Sequence, residues 1–180
     1  MNILAYIEEF ARQAHGDQQR KFADEPYIKH PIRVMQLCRE YTLDLPVLSA
    51  ALLHDVLEDT DVTKDALSNY LRDVMKPEDA QKTLALTIEL TDVYVKEDYP
   101  NWNRRKRKDA EAARLGNASA AAQTIKYADI IDNSLDISNS PSDFKPKFLQ
   151  ECQTLLKAMD KGNPALRQRA IATVNSFLQK

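Results

Sequence analysis

The sequence predicts an all-α fold in a single domain, and three observations carry that prediction. Apolar residues recur three and four positions apart along almost the whole chain, the stripe of a helix packed on one side. No segment alternates apolar and polar residues as a half-buried strand does. No internal repeat and no linker divides the 180 residues, a length that suits one domain with a sizeable core.

The elements follow in order. Ile3, Ile7, Phe10 and Ala14 form the first stripe, which ends near His15 and Gly16. A polar loop, GDQQRKFADEPYIKH, leads to Pro31, which a first helical turn tolerates, and to a helix from Ile32 to Tyr41. Asp44 and Pro46 start the next helix. From Val47 to Leu57 it is apolar on nearly every side, so it is predicted to be central. Thr63 can cap a short amphipathic helix carrying Leu67, Tyr70, Leu71 and Val74. Pro77, Glu78 and Asp79 open another, reaching about Thr91. The segment VYVKEDYPNWN is a loop holding Tyr94, Tyr99 and Trp102. A basic helix is expected from Arg104 to Leu115, an Ala-rich one from Ser119 to Ile137, and a third from Pro141 to Met159. Gly162, Asn163 and Pro164 end that one and start the last.

Composition removes several function classes. With 25 Lys+Arg against 27 Asp+Glu the net charge is −2, which argues against a general nucleic-acid binder. Gly16, Gly116 and Gly162 lie too far apart for a Walker A loop, a Rossmann GxGxxG or a GxSxG elbow. No apolar run approaches the roughly 18 residues of a membrane span, and the N-terminus carries acids where a signal peptide carries bases. A cytoplasmic location is the expectation. Cys38 and Cys152 are far apart on apolar stripes and read as core residues, neither a disulfide nor nucleophiles.

Polar residues at the end of the central helix, in ALLHDVLEDTD, stand out. On a continuous helix His54, Asp55, Glu58 and Asp59 would point within an arc of about 140° at about 100° per residue. The carboxylates would sit at a helix C-terminus, where the dipole prefers cations, with no Lys or Arg between Ala50 and Val62. A bound cation makes such a cluster favourable; a solvated acidic helix end suits Asp59 and Asp61 better than His54 and Asp55. His30, next to Pro31 at a helix start, is a candidate ligand or a partly buried capping histidine. Asp129, inside the Ala-rich helix, is a ligand or the partner of Lys126. His15 reads as structural. Together His30, His54, Asp55 and Asp129 offer two nitrogens and at least two oxygens, a set that suits Mn²⁺, Fe²⁺, Co²⁺ or Zn²⁺. That chemistry is metal-assisted hydrolysis, with Glu58 and Asp59 placed to take a proton from the attacking water.

The segments AHGDQQRK, PYIKHP, ALLHDVLEDT and TIKYADIIDN, spanning Ala14 to Asn133, resemble the H…HD…D pattern of HD-domain phosphohydrolases. They are more closely similar to the hydrolase domain of the RelA/SpoT alarmone enzymes. The resemblance implies a single-domain HD-domain helical bundle over residues 1–180, a stand-alone small alarmone hydrolase without synthetase or regulatory region. It implies a manganese-dependent 3′-pyrophosphohydrolase that converts ppGpp or pppGpp to GDP or GTP plus pyrophosphate. Other first-row divalent ions would suit the same ligands.

On this sequence the family's metal ligands fall on His30, His54, Asp55 and Asp129, and its catalytic acids on Glu58 and Asp59. Arg20 and Lys21 match a base-contacting loop, and Asn133 an asparagine lining the nucleotide pocket. Asp17 before Gln18 and the run FADE after Lys21 depart from the family's glycines, which bears on base preference. An adenine alarmone or NADPH is therefore kept as an alternative substrate, and a silent alarmone-binding module as a further alternative. The basic run from Arg104 to Lys108 is expected to turn one or two side chains, Arg104 or Lys108, to distal phosphates. Lys126 could neutralise Asp129 or a phosphate.

Overall fold

The computed structural model describes residues 2–139 and 143–179; Pro141, the expected start of the penultimate helix, lies outside them. Among the described residues there are ten helices and, in place of strands, one isolated bridge between Gln19 and Pro26. None of these helices is long and apolar enough to cross a membrane. The chain forms two compact units, Met1–Thr91 and Asp92–Lys180.

The first unit holds α1 (Ile3–His15), α2 (Lys29–Arg39), α3 (Leu45–Leu53), α4 (Val56–Asp59), α5 (Lys64–Val74) and α6 (Pro77–Leu90). As its composition predicts, α3 is the hub: Pro46 to Leu53 are all buried, and it packs against α1, α2 and α6. Gly16 ends α1 at φ 51°, a left-handed conformation that a residue with a Cβ adopts only under strain. The following loop is closed on itself: Tyr27 N donates to Gln18 O at 2.8 Å and Arg20 N to Glu25 O at 3.0 Å. Arg33 ties it to α2 through Glu25 at 2.6 Å. Helix α2 begins at Lys29, before the expected Ile32, because Pro31 still falls in the first turn, where no backbone donor is needed. Thr63 caps α5 as expected, accepting from Ala66 N at 3.2 Å.

The expected continuous helix from Val47 to Leu57 is broken. His54 closes α3, Asp55 sits at φ −100°, ψ −5°, and α4 restarts at Val56. Adjacent residues on a regular helix do not face each other. The turn lets the two side chains converge, with Asp55 Oδ2 at 3.0 Å from His54 Nε2. Glu58 and Asp59 consequently lie in the first turn of α4, so the dipole argument that placed them at a helix C-terminus does not hold.

The second unit holds α7 (Arg104–Asn117), α8 (Ala120–Ser138), α9 (Lys145–Ala158) and α10 (Pro164–Leu178). Helix α8 is its core and packs against α9 and α10, while α7 packs on α9. Asn103, Ser119 and Asn163 cap α7, α8 and α10 through their side-chain oxygens. Gly162 sits against α8 so closely that a Cβ would come within 2.5 Å of a Tyr127 ring carbon and 2.8 Å of Thr124 N. The aromatic loop packs on itself, Tyr94 and Trp102 lying nearly parallel with centroids 5.7 Å apart. Its start is pinned by Glu111, whose buried Oε2 accepts from Val93 N and Tyr94 N at 3.1 and 3.2 Å.

Candidate metal centre and its surroundings

Three of the predicted ligands meet in the first unit. His30, on the first turn of α2, is 1% exposed and His54, at the end of α3, is 3% exposed; Asp55 on the turn is half-buried. His30 Nε2 and His54 Nε2 are 3.2 Å apart, and Asp55 Oδ2 lies 3.0 Å from the second and 3.6 Å from the first. One donor atom from each residue falls within 4.8 Å of the others. The Nδ1–H of His54 donates to Ala51 O at 2.8 Å, which leaves Nε2 with its lone pair pointed at the cluster. Two imidazole nitrogens and a carboxylate oxygen facing one point repel each other unless a cation or a proton lies among them. The donor set therefore fits a first-row divalent ion, for which mixed imidazole and carboxylate ligation is ordinary.

Tyr27 borders the cluster, and its hydroxyl donates to Asp55 Oδ2 at 2.6 Å. Burial first, then the charges of Asp55 and Asp59, push the Tyr27 phenol well above its ordinary pKa, so it remains a donor. Its ring packs on His15, centroids 4.6 Å apart. His15 is buried and its Nδ1 lies 2.9 Å from Gln18 Oε1, consistent with the structural role read from the sequence. The Asp59 carboxyl is held above the ordinary range by desolvation and by the charge of Asp55, against a hydrogen bond from Tyr27. Glu58 and Asp59 are exposed as residues, unlike the histidines. Tyr27 is the residue that sequence reasoning passed over. The available signal was its spacing, three before His30 in PYIKHP, in the turn that leads into α2, where Tyr27 O accepts from His30 N at 2.9 Å.

Arg20 and Lys21 lie in the closed loop, Arg20 at 5.3 Å over the Tyr27 ring and Lys21 at 5.3 Å over Phe22. The remaining expected residues belong to the second unit. Asp129 is buried on α8, with Lys126 Nζ at 2.8 Å from Oδ2 and Asn133 Nδ2 at 2.5 Å from Oδ1. The ion pair weighed for it from the sequence is thus present. Lys108, Lys126, Asp129 and Asn133 together line a cavity of about 110 Å³, floored by Phe148 and Cys152. Lys108 is paired with Asp92 at 3.0 Å. Arg104 grips Glu151 with two nitrogens, at 2.8 and 2.7 Å, a hydrogen-bonded pair that raises its already high pKa.

A buried histidine on one helix and a His-Asp dipeptide on the turn after a central apolar helix define an HD-domain protein. The chain belongs to the HD domain family, whose sequence pattern matches residues 8–155. Guanosine-3′,5′-bis(diphosphate) 3′-pyrophosphohydrolase MESH1 of Mus musculus is 31% identical over 152 residues, covering 82% of this chain and 77% of that protein. The guanosine-3′,5′-bis(diphosphate) 3′-pyrophosphohydrolase of Vibrio cholerae is 53% identical over 60 residues. The chain spans only 8% of the length of that protein, and likewise 8% of its Aquifex aeolicus counterpart. Among solved structures, a metazoan ortholog of SpoT that hydrolyses ppGpp superposes with a TM-score of 0.80 at 23% identity. That superposition covers 98% of this chain and 96% of the other and establishes the all-α fold.

Proposed function

We propose that this protein is a metal-dependent 3′-pyrophosphohydrolase of guanosine-3′,5′-bis(diphosphate) and its pentaphosphate analogue, acting as one HD hydrolase module over residues 1–180. The observation that carries the reading is the meeting of His30 Nε2, His54 Nε2 and Asp55 Oδ2 at one buried point. The mouse relative, similar over most of both chains and named for this activity, supports the substrate. Mn²⁺ is the proposed ion, with Asp129 as the fourth ligand on the strength of the TIKYADIIDN segment. When bound, such an ion lowers the pKa of a water and polarises a phosphoryl oxygen.

The chain's own residues supply the rest. Glu58 and Asp59, on the turn after the ligands and with no cation in the surrounding stretch, accept the proton of the attacking water. Water attacks the phosphorus bonded to the ribose 3′ oxygen, that P–O bond breaks, and the proton taken up by the acidic pair passes to the 3′ oxygen, which leaves as the nucleotide's hydroxyl while pyrophosphate departs. Lys126 and Lys108, on the cavity that also holds Asp129, are proposed to offset phosphate charge, and Asn133 to line the nucleotide site. Arg20 and Lys21 are proposed to meet the base. Arg104, with both forks on Glu151, has to leave that pair to reach a phosphate.

Incubation of the purified protein and Mn²⁺ with ppGpp, pppGpp, ppApp and NADPH, with identification of products, tests the reading. Release of pyrophosphate from the two guanosine compounds is the expected result. A preference for ppApp or NADPH moves the assignment to those substrates, and turnover of none of the four refutes it. The double substitution Glu58→Gln, Asp59→Asn is expected to slow hydrolysis by about 10²-fold or more. Full activity in that variant would remove the acid–base assignment.

A further inference from the structure

Tyr27 is held more firmly than a surface-loop residue has reason to be. Its backbone N–H donates to Gln18 O at 2.8 Å, and the preceding Pro26 forms a bridge with Gln19, so the start of α2 is fastened to the end of the loop. One face of its ring lies on His15, tilted by 32°, and its edge meets His30 with centroids 5.9 Å apart. His15 is itself fixed, buried to 5% exposure with Nδ1 at 2.9 Å from Gln18 Oε1. All of this immobilises one polar atom, the hydroxyl oxygen, which lies 2.6 Å from Asp55 Oδ2.

That carboxylate oxygen is also the one closest to the imidazole nitrogens, at 3.0 Å from His54 Nε2. A carboxylate turns readily about its last torsion, where the rotamer wells are broad and two-fold. Asp55 starts a turn and makes no capping hydrogen bond with its side chain. The short hydrogen bond from the Tyr27 hydroxyl is a contact that fixes that torsion.

We propose that Tyr27 is a positioning residue of the metal centre, whose hydroxyl holds Oδ2 of Asp55 turned toward His30 and His54. The inference rests on the metal-binding reading above. Removing the hydroxyl leaves the ring, its contact with His15 and the loop closure intact, and withdraws the hydrogen bond that holds Oδ2 toward the other two donors. Hydrogen bonds that orient a metal-ligating side chain are commonly worth about 10- to 100-fold in metal affinity, which sets the expected size.

The test is calorimetric titration of Mn²⁺ into chelator-stripped wild type, Tyr27→Phe, Tyr27→Leu and His54→Ala, with the melting temperature of each metal-free protein measured alongside. Tyr27→Phe is expected to bind Mn²⁺ about 10- to 100-fold more weakly while melting, metal-free, at the wild-type temperature. Tyr27→Leu is expected to lose affinity and to melt earlier, having lost the ring as well. Affinity in Tyr27→Phe within about two-fold of wild type, against the reference scale of such effects, overturns the proposal and leaves the metal site standing. A metal-free Tyr27→Phe that melts as early as Tyr27→Leu assigns the hydroxyl to packing and overturns it too. Wild type that binds no Mn²⁺, indistinguishable from His54→Ala, overturns the metal reading itself.

Discussion

His54 and Asp55 owe their visibility in the sequence to contrast: an imidazole and a carboxylate closing a helix that is buried from Pro46 to Leu53 and apolar but for Ser49. His30 was legible through its neighbours in PYIKHP rather than by any property of its own. Tyr27 and His15 were not legible as a pair, because a tyrosine in a loop and a histidine at a helix end give no sign that their rings stack 4.6 Å apart. Cys38 and Cys152 were read as core residues and are 0% and 2% exposed. Desolvation first, and the charge of Asp129 second, push the Cys152 thiol up to about 12. A raised thiol pKa keeps the proton on, so the nucleophilic thiolate is missing at pH 8. Native protein at that pH is accordingly expected to leave both cysteines unlabelled by a thiol-disulfide reagent, and urea-unfolded protein to label both. Rapid labelling of Cys152 in the native state would contradict its burial.

At the scale of elements, most boundaries followed from capping and turn chemistry. Thr63, Ser119 and Asn163 cap helices where the sequence set their starts. The break between α3 and α4 escaped notice because a helix apolar on all sides has no stripe whose drift would betray a turn. The fastening of the aromatic loop was hidden for a different reason. Glu111 looked like one charge on a basic helix, yet it is 3% exposed and is shared between the backbone of Val93 and Tyr94 and the guanidinium of Arg114. Glu111→Ala removes an acceptor shared by an exposed residue, Val93, and two half-buried ones, Tyr94 and Arg114, and is expected to cost about 1–3 kcal/mol, measured by urea unfolding. A loss below about 1 kcal/mol, the range of exposed pairs, would mean that water replaces the carboxylate.

At the scale of the whole molecule, periodicity alone was enough for the all-α class, since ten helices leave a single isolated bridge among the described residues. The division into two compact units after Thr91 was not legible. The net charge shifts across it, from −6 over residues 1–91 to +4 over residues 92–180, yet no Pro/Gly/Ser-rich stretch marks the boundary, and the HD family pattern runs across it from residue 8 to 155. A ligand that binds only the folded chain stabilises it by mass action, about 2.7 kcal/mol at 100 times its dissociation constant. For a chain of this size that corresponds to a melting temperature higher by about 5–10 °C. Mn²⁺ added to chelator-stripped wild type is expected to produce such a rise, a chelator to reverse it, and His54→Ala to abolish it. An unchanged wild-type melting curve would count against a resident ion.

The turn that closes α3 makes the site intolerant of changes in chain length. His54 and Asp55 are consecutive residues whose convergence depends on one fixed pair of backbone angles at Asp55. A single inserted codon between them would leave every ligand present in the gene and still swing one donor away, by about 100° if the new residue took helical geometry. Substitutions can erode such a centre gradually, one donor at a time. An insertion or deletion there dismantles it in one event, so tolerated length changes should map to other segments, such as the loop before α7.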